Sequence, residues 1–245
     1  MLGFDLPGAH YEMIATHMTW NKTFVDKYFP SRKTITILRD PTTLLESSWK
    51  YYYILMSNPT VWKKEPSQTS QAHQLYQLLE NPNKFYNDTL KMKPSSYRHV
   101  LRSQMASFGF GKKAYEHNLD RETVKQWIQQ IDDDFDLVLI MEYFDYGLAL
   151  LAIELCWPLK EMAYLKANSA KTIRVEKKNY NRELIEVLNY PDFMLYQHFN
   201  RTFWRKIEEV GLDTVQKMSA EIERLSEDLE NECVVWAKSF HFSRF

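Results

Sequence analysis

Residues 33–53 read KTITILRDPTTLLESSWKYYY, and the fold turns on them. Thr34, Ile35, Thr36, Ile37 and Leu38 are β-branched or aliphatic with no charge among them, which predicts a short buried strand. Arg39-Asp40-Pro41 follows at once. Asp40 suits an N-cap, since its short carboxylate can accept from the first free N–H groups of a helix. Pro41 suits the first helical position, where no N–H is needed. A helix is therefore expected to start here and run through Thr42 to about Tyr53. Strand, turn and helix make half of a βαβ unit. The turn lies at the carboxyl end of the strand, where open α/β sheets bind ligands.

Arg39 and Ser47, eight residues apart, are the detail that matters. Arg39 leaves the strand with a planar fork of donors suited to a phosphate. Ser47, in the second turn of the helix, can offer a hydroxyl to the same anion near the positive end of the helix dipole. The same residues also suit a plain strand-to-helix turn with Arg39 in a surface ion pair. An arginine after a strand, Asp-Pro next and a serine at +8 resembles the 3′-phosphate-binding element of sulfotransferases that use PAPS (3′-phosphoadenosine 5′-phosphosulfate).

Further segments extend that resemblance in order along the chain: His10 to Tyr53, WIQQIDDDFDLVLIMEYFDY at 127–146, Leu155-Cys156-Trp157, and YQHFNRTFWR at 196–205. Together they are similar to the galactose 3-O-sulfotransferase family over most of residues 10 to 211. The resemblance implies PAPS as co-substrate without a metal, and a galactose-terminated glycolipid or glycan as acceptor. It implies the Golgi lumen, reached in full-length relatives through a type II membrane anchor, and it leaves room for a homodimer. The expected fold is α/β: a partial P-loop-type parallel sheet flanked by helices, with a helical C-terminal part. One domain is expected over residues 1–245, ending in a helix over 212–240.

The bulk numbers agree. A chain of 245 residues with six glycines, 44% hydrophobic and 15% aromatic residues can bury a good core and is not a disordered composition. A net charge of −1 argues against general nucleic-acid binding and requires any anion site to be a local cluster. The longest apolar candidate, Phe135 to Trp157, is interrupted by Asp136, Glu142, Asp145 and Glu154, so it predicts core and not a membrane span. Met1 to Tyr11 is too short for a signal peptide and lacks its basic flank and apolar stretch, so the expectation is either a missing N-terminus or a cytosolic chain. Asn21, Asn87 and Asn200 each begin an Asn-X-Thr sequon, which points to a secretory-pathway lumen. Cys156 and Cys233 are too few for a metal site. They are either buried thiols or one disulfide, which would pin the last helix to the sheet.

In chain order, Glu12 to Thr16 is a weak strand candidate ending at His17. Asn21 to Phe29 reads as a helix closed by Pro30, and Thr34 to Leu38 is the next strand. A right-handed crossover between these two strands would set His17 at the same sheet edge as Arg39. The stretch from Met56 to Lys93 is polar and irregular, with short helices expected over Gln68–Glu80 and Asn83–Leu90. Tyr97 to Phe108 predicts a helix. Gly109-Phe110-Gly111-Lys112-Lys113 lacks the spacing of a phosphate loop and reads as a connection. Arg121 to Asp133 is an amphipathic helix, Leu137 to Met141 a strand, and Tyr146 to Trp157 a helix. Helices over Arg182–Asn189 and Asp192–Glu209 follow, then a long one over Asp213–Trp236. That last helix carries an apolar stripe through Val215, Met218, Ile222, Leu225, Leu229, Cys233 and Trp236, the spacing of a docking face.

Sulfuryl transfer needs the donor's phosphates gripped, the acceptor hydroxyl deprotonated as it attacks sulfur, and the charge on the leaving phosphate offset. Arg39 and Ser47 fit the first task. His17 fits the second, since an imidazole titrates near working pH. The resemblance agrees, because the family carries a histidine after this strand. His10 and His198 are weaker candidates. Glu142 and Asp145 can hydrogen-bond sugar hydroxyls, while Asp145 equally suits helix capping. Trp49, Tyr51, Tyr52 and Tyr53 can stack on adenine or a galactose face, or pack as core. For the third task the family carries a lysine-threonine-glycine type loop that no segment of residues 1–245 matches, so the chain is expected to begin downstream of it. Two other functions compete with a sulfotransferase: a non-catalytic or truncated relative that binds nucleotide or galactoside without turnover, and a nucleotide kinase-like protein. The second is disfavoured by the lack of a Walker-type loop.

Overall fold

A computed structural model describes residues 13–14, 18–56, 79–80, 103–110, 119–165 and 182–239. Its centre is a parallel pair of strands, β1 (Ile35–Leu38) and β2 (Leu137–Ile140), in register Ile35 to Leu137 through Leu38 to Ile140. Both strands come from the apolar runs that predicted them. All four residues of β2 are buried, whereas β1 keeps Ile37 41% exposed. The pair is locked at its amino end by Asp136, whose carboxylate accepts the Thr34 N–H at 2.7 Å while its own N–H donates to the Thr34 carbonyl at 2.9 Å.

Before β1, helix α1 (Lys22–Tyr28) is capped by Asn21, whose Oδ1 accepts the Phe24 N–H at 3.0 Å. Helix α2 (Pro41–Met56) follows β1 after the two residues Arg39 and Asp40. A short helix, α3 (Ser103–Met105), widens into a π-helical turn over Ala106–Phe110. Helix α4 (Arg121–Asp134), with Asp120 as its N-cap, leads into β2. A 3₁₀ turn (Met141–Tyr143) then opens α5 (Phe144–Leu155). The C-terminal part is helical: α6 (Arg182–Leu188), α7 (Tyr190–Val210) and α8 (Leu212–Ser239). The expected α/β class with a helical C-terminal part holds. Each of these helices begins or ends within a few residues of its predicted bounds.

The core joins β2 to α4, α5, α7 and α8. Val124, Ile131, Ile140, Ala149, Leu195, Phe199, Phe203, Ile207, Val215 and Ile222 are all buried in one cluster. Each large side chain among them contributes about 1.5–3 kcal/mol by leaving water, and a regular four-residue spacing along α7 sets Leu195, Phe199, Phe203 and Ile207 on one inward face. No helix among the described residues is long and apolar enough to cross a membrane.

Four expectations turn out differently or fall elsewhere. Met13 and Ile14 belong to no strand, and the remainder of the proposed first strand, His17 included, lies outside the described residues. So do the predicted helix Asn83–Leu90 and nearly all of Gln68–Glu80. Gly109 and Phe110, read as a connection, instead finish the π-helical turn. Cys156 and Cys233, considered as a disulfide or as buried thiols, are both free and exposed. Burial along the apolar stripe of α8 is complete at Val215 and Ile222, partial at Met218, Leu225 and Leu229, and lost at Cys233. Cys156 meanwhile ends α5 in the left-handed conformation, φ 52°.

The π-helical turn is fitted to the segment before α1. The Trp20 N–H donates to the Ser107 carbonyl at 2.8 Å, and the Trp20 indole donates to Asp134 Oδ2 at 3.0 Å. Gly109 sits at φ +94°, and a Cβ there would come within 2.6 Å of the Trp20 carbonyl oxygen. Gly109→Ala should therefore lower stability by roughly 1–3 kcal/mol through backbone strain and this clash. Urea titration of the two proteins measures it.

Candidate functional site

The site is built on the two residues between β1 and α2. Arg39 continues the strand as though paired: its N–H donates to Gln104 Oε1 at 2.8 Å and its carbonyl accepts from Gln104 Nε2 at 3.0 Å. A side-chain amide thus stands in for a neighbouring strand. Gln104 is itself buried, and the N–H groups of Gln104 and Met105 donate to the two carboxylate oxygens of Asp192 at 3.1 and 2.9 Å. Asp192 lies in the first turn of α7 and is 2% exposed.

Asp40 caps α2 as predicted, its Oδ1 accepting the N–H groups of Thr42 and Thr43, each at 3.0 Å. Thr43 does more. Its hydroxyl accepts from Arg39 Nε at 3.1 Å and lies 3.1 Å from the Asp40 carbonyl oxygen. One edge of the guanidinium is thereby fixed by its own helix, and its terminal nitrogens take part in no ion pair found among the described residues. Ser47 is one helical turn beyond Thr43 and exposed, whereas Ser48 is buried. Glu46, exposed as a residue, has its carboxyl pushed above the usual range by the protein packed around it. Arg39 opposes that shift and Asp40 adds to it.

The end of β2 meets this turn. Glu142 Oε1 accepts the Asp40 N–H at 3.0 Å, and Oε2 accepts from the Tyr196 hydroxyl at 3.1 Å. Glu142 thus meets the turn at the Asp40 N–H, with both oxygens engaged inside the protein. Asp145 is not part of this group. Its Oδ1 accepts from the Tyr164 hydroxyl at 2.9 Å, and Tyr164 in turn is tied to α8 through Ser226. His198 Nε2 lies 3.3 Å from Asp132 Oδ2 and packs edge-on against Phe199, at the opposite end of β2. A cavity of about 230 Å³ opens at that same far end, lined by Asp132, Asp136, Thr202, Arg205 and Lys206. It holds none of the candidate residues Arg39, Ser47, Glu142 and Asp145. His17, His10 and Asn87 lie outside the described residues, as do the side chains of Trp49 and Tyr51–Tyr53. Asn21 is exposed, and Asn200 is half-buried in α7. Among the described residues no three His, Cys, Asp or Glu side chains could hold a metal ion.

Sequence reasoning missed Thr43, Gln104, Tyr196 and Asp192. Thr43 had a signal, since residue i+4 from an arginine at a helix start shares its face. The other three come from remote segments and carried none.

Known proteins resemble the chain strongly. The family model described as Galactose-3-O-sulfotransferase matches residues 7–239. Galactosylceramide sulfotransferase of Mus musculus is 33% identical over 235 residues, covering 93% of this chain and 51% of the relative. The Homo sapiens protein of the same name is 32% identical over 235 residues with the same coverage. Galactose-3-O-sulfotransferase 2 of Mus musculus is 29% identical over 221 residues, covering 89% of this chain and 51% of the relative. The chain spans about half the length of the curated relatives it matches. No solved structure matches it.

The Tyr164–Asp145 contact has a measurable pH consequence. Burial, and then the Asp145 carboxylate, push the Tyr164 hydroxyl up to about 12. The folded state therefore keeps a proton that the unfolded chain loses near its ordinary value of 10.0. This stabilisation is whole below about pH 10 and drains away as pH rises towards 12. Tyr196 is shifted in the same direction, by burial and then by Glu142. Denaturation midpoints for Tyr164→Phe should thus fall less steeply than wild type between about pH 10 and about pH 12, without becoming flat.

Proposed function

This chain belongs to the galactose-3-O-sulfotransferase family, and from that premise we propose that it serves a PAPS-dependent transfer of sulfate to the 3-hydroxyl of a β-galactosyl residue on a glycolipid or glycoprotein. The supporting observation is the Arg39 guanidinium, held by Thr43 at the carboxyl end of β1, with Ser47 exposed one turn along the same helix. A fork already fixed along one edge has less freedom left to lose on binding, which favours a bidentate phosphate contact. Asp40 and Glu142 bring negative charge nearby. Both are hydrogen-bonded to backbone N–H groups, which offsets part of the repulsion an incoming phosphate would meet.

In this proposal Arg39 and Ser47 hold the 3′-phosphate, and PAPS supplies the sulfuryl group. The acceptor oxygen attacks sulfur as its proton passes to His17, and the bond from sulfur to the phosphate oxygen breaks. The Golgi lumen is the proposed compartment and a galactose-terminated glycan the proposed acceptor.

Calorimetry tests the nucleotide part. The wild-type chain should bind 3′-phosphoadenosine 5′-phosphate (PAP) more tightly than AMP, and Arg39→Ala should remove that preference, a loss of about ten- to a hundred-fold. Equal affinity for the two nucleotides would reject it. In turnover with PAPS and a β-galactoside, His17→Ala should be slower by roughly 10²- to 10⁴-fold with PAP affinity unchanged. Unimpaired turnover would move the base elsewhere.

A further inference from the structure

An aspartate N-cap is commonly completed by a glutamate three residues on, whose carboxylate reaches back to the N-cap N–H. In α2 that position is Thr43, too short to reach back as a glutamate does, and the Asp40 N–H would be left over. Glu142 fills the gap from another strand. Its Oε1 accepts the Asp40 N–H at 3.0 Å and lies 3.5 Å from the Thr43 hydroxyl. The cap of α2 is therefore closed across the sheet, by a residue 102 positions away.

Glu142 is exposed as a residue and follows the last residue of β2 by two positions, so a free side chain there would sample several rotamers. Tyr196 stops it. This half-buried side chain of α7 donates its hydroxyl to Glu142 Oε2 at 3.1 Å. From Tyr196 the contacts run to Glu142, then to the Asp40 N–H and Thr43 hydroxyl, and from Thr43 to Arg39 Nε at 3.1 Å. We propose that Glu142 and Tyr196 are positioning residues for the anion site, setting the Asp40 turn and, through Thr43, the direction of the Arg39 fork. The proposal rests on the nucleotide reading above and deepens it. It gives Glu142 a task other than contact with the acceptor sugar, and it gives the segment around Tyr196 a direct bearing on the donor nucleotide.

Calorimetric titration of the full chain with PAP and with AMP tests it, alongside a thermal melt of each variant. Tyr196→Phe deletes one oxygen, and should lower PAP affinity by roughly threefold to tenfold, the scale of one net hydrogen bond, while AMP affinity holds. Glu142→Ala should lower the PAP-to-AMP ratio at least as far. Glu142→Gln keeps an acceptor for the Asp40 N–H and can take the Tyr196 hydroxyl as its own acceptor, so it should restore the ratio to within about twofold of wild type. A contact that merely supported the fold would lower melting temperatures and leave the ratio unchanged in Tyr196→Phe and Glu142→Ala, and that result overturns the proposal. Should Glu142→Ala melt too low to titrate, Tyr196→Phe decides alone. A wild-type chain with no preference for PAP over AMP overturns the nucleotide reading itself, and is seen before any variant is made.

Discussion

Everything at the Arg39 turn depends on one buried carboxylate. Asp192 is 2% exposed and accepts two backbone N–H groups from the start of α3. A buried carboxylate without such partners would cost several kcal/mol, so the contact constrains strongly. It fixes α3 against α7, and α3 then presents Gln104 to both sides of the Arg39 peptide. The strand end is held by an amide that cannot drift, because the backbone carrying it cannot.

The same short segment works in a second direction. Three residues after Gln104, the Ser107 carbonyl receives the Trp20 N–H, and Gly109 lets the Trp20 backbone approach as no other residue would. Residues 103–110 thus bracket two parts of the chain, the turn after β1 and the segment leading into α1. Close packing makes such a bracket stiff, since Phe108 and Phe110 are themselves seated against Phe135 and Trp127.

Among the described residues, the carboxylates around Arg39 are engaged by hydrogen bonds and form no ion pair with it. Asp40, Glu142 and the crowded Glu46 all stand near a single guanidinium. Paired directly with any of them, the fork would lose the edge an anion needs. Asp40 is instead turned to the N–H groups of α2, and Glu142 to the Asp40 N–H and Tyr196. That division leaves the guanidinium's terminal nitrogens outside any ion pair found among the described residues, as the proposed anion site requires.

Much of this was legible in the chain itself. The apolar runs at 34–38 and 137–141 gave two strands, Asp40-Pro41 gave the helix start, and three-four spacing gave α4, α7 and α8, since each depends on neighbours within a few residues. Arg39 and Ser47 could be proposed from the sequence for the same reason: their spacing is local to one turn and one helix. Cys233 was misplaced because periodicity reports which face a residue shares, not how far along that face a partner extends. Asp192 stood only as the start of a predicted helix, and Gln104 and Tyr196 carried no assigned role. Only the tertiary structure decided what they hold, because their partners lie 54 to 88 residues away and no local pattern encodes a contact of that span.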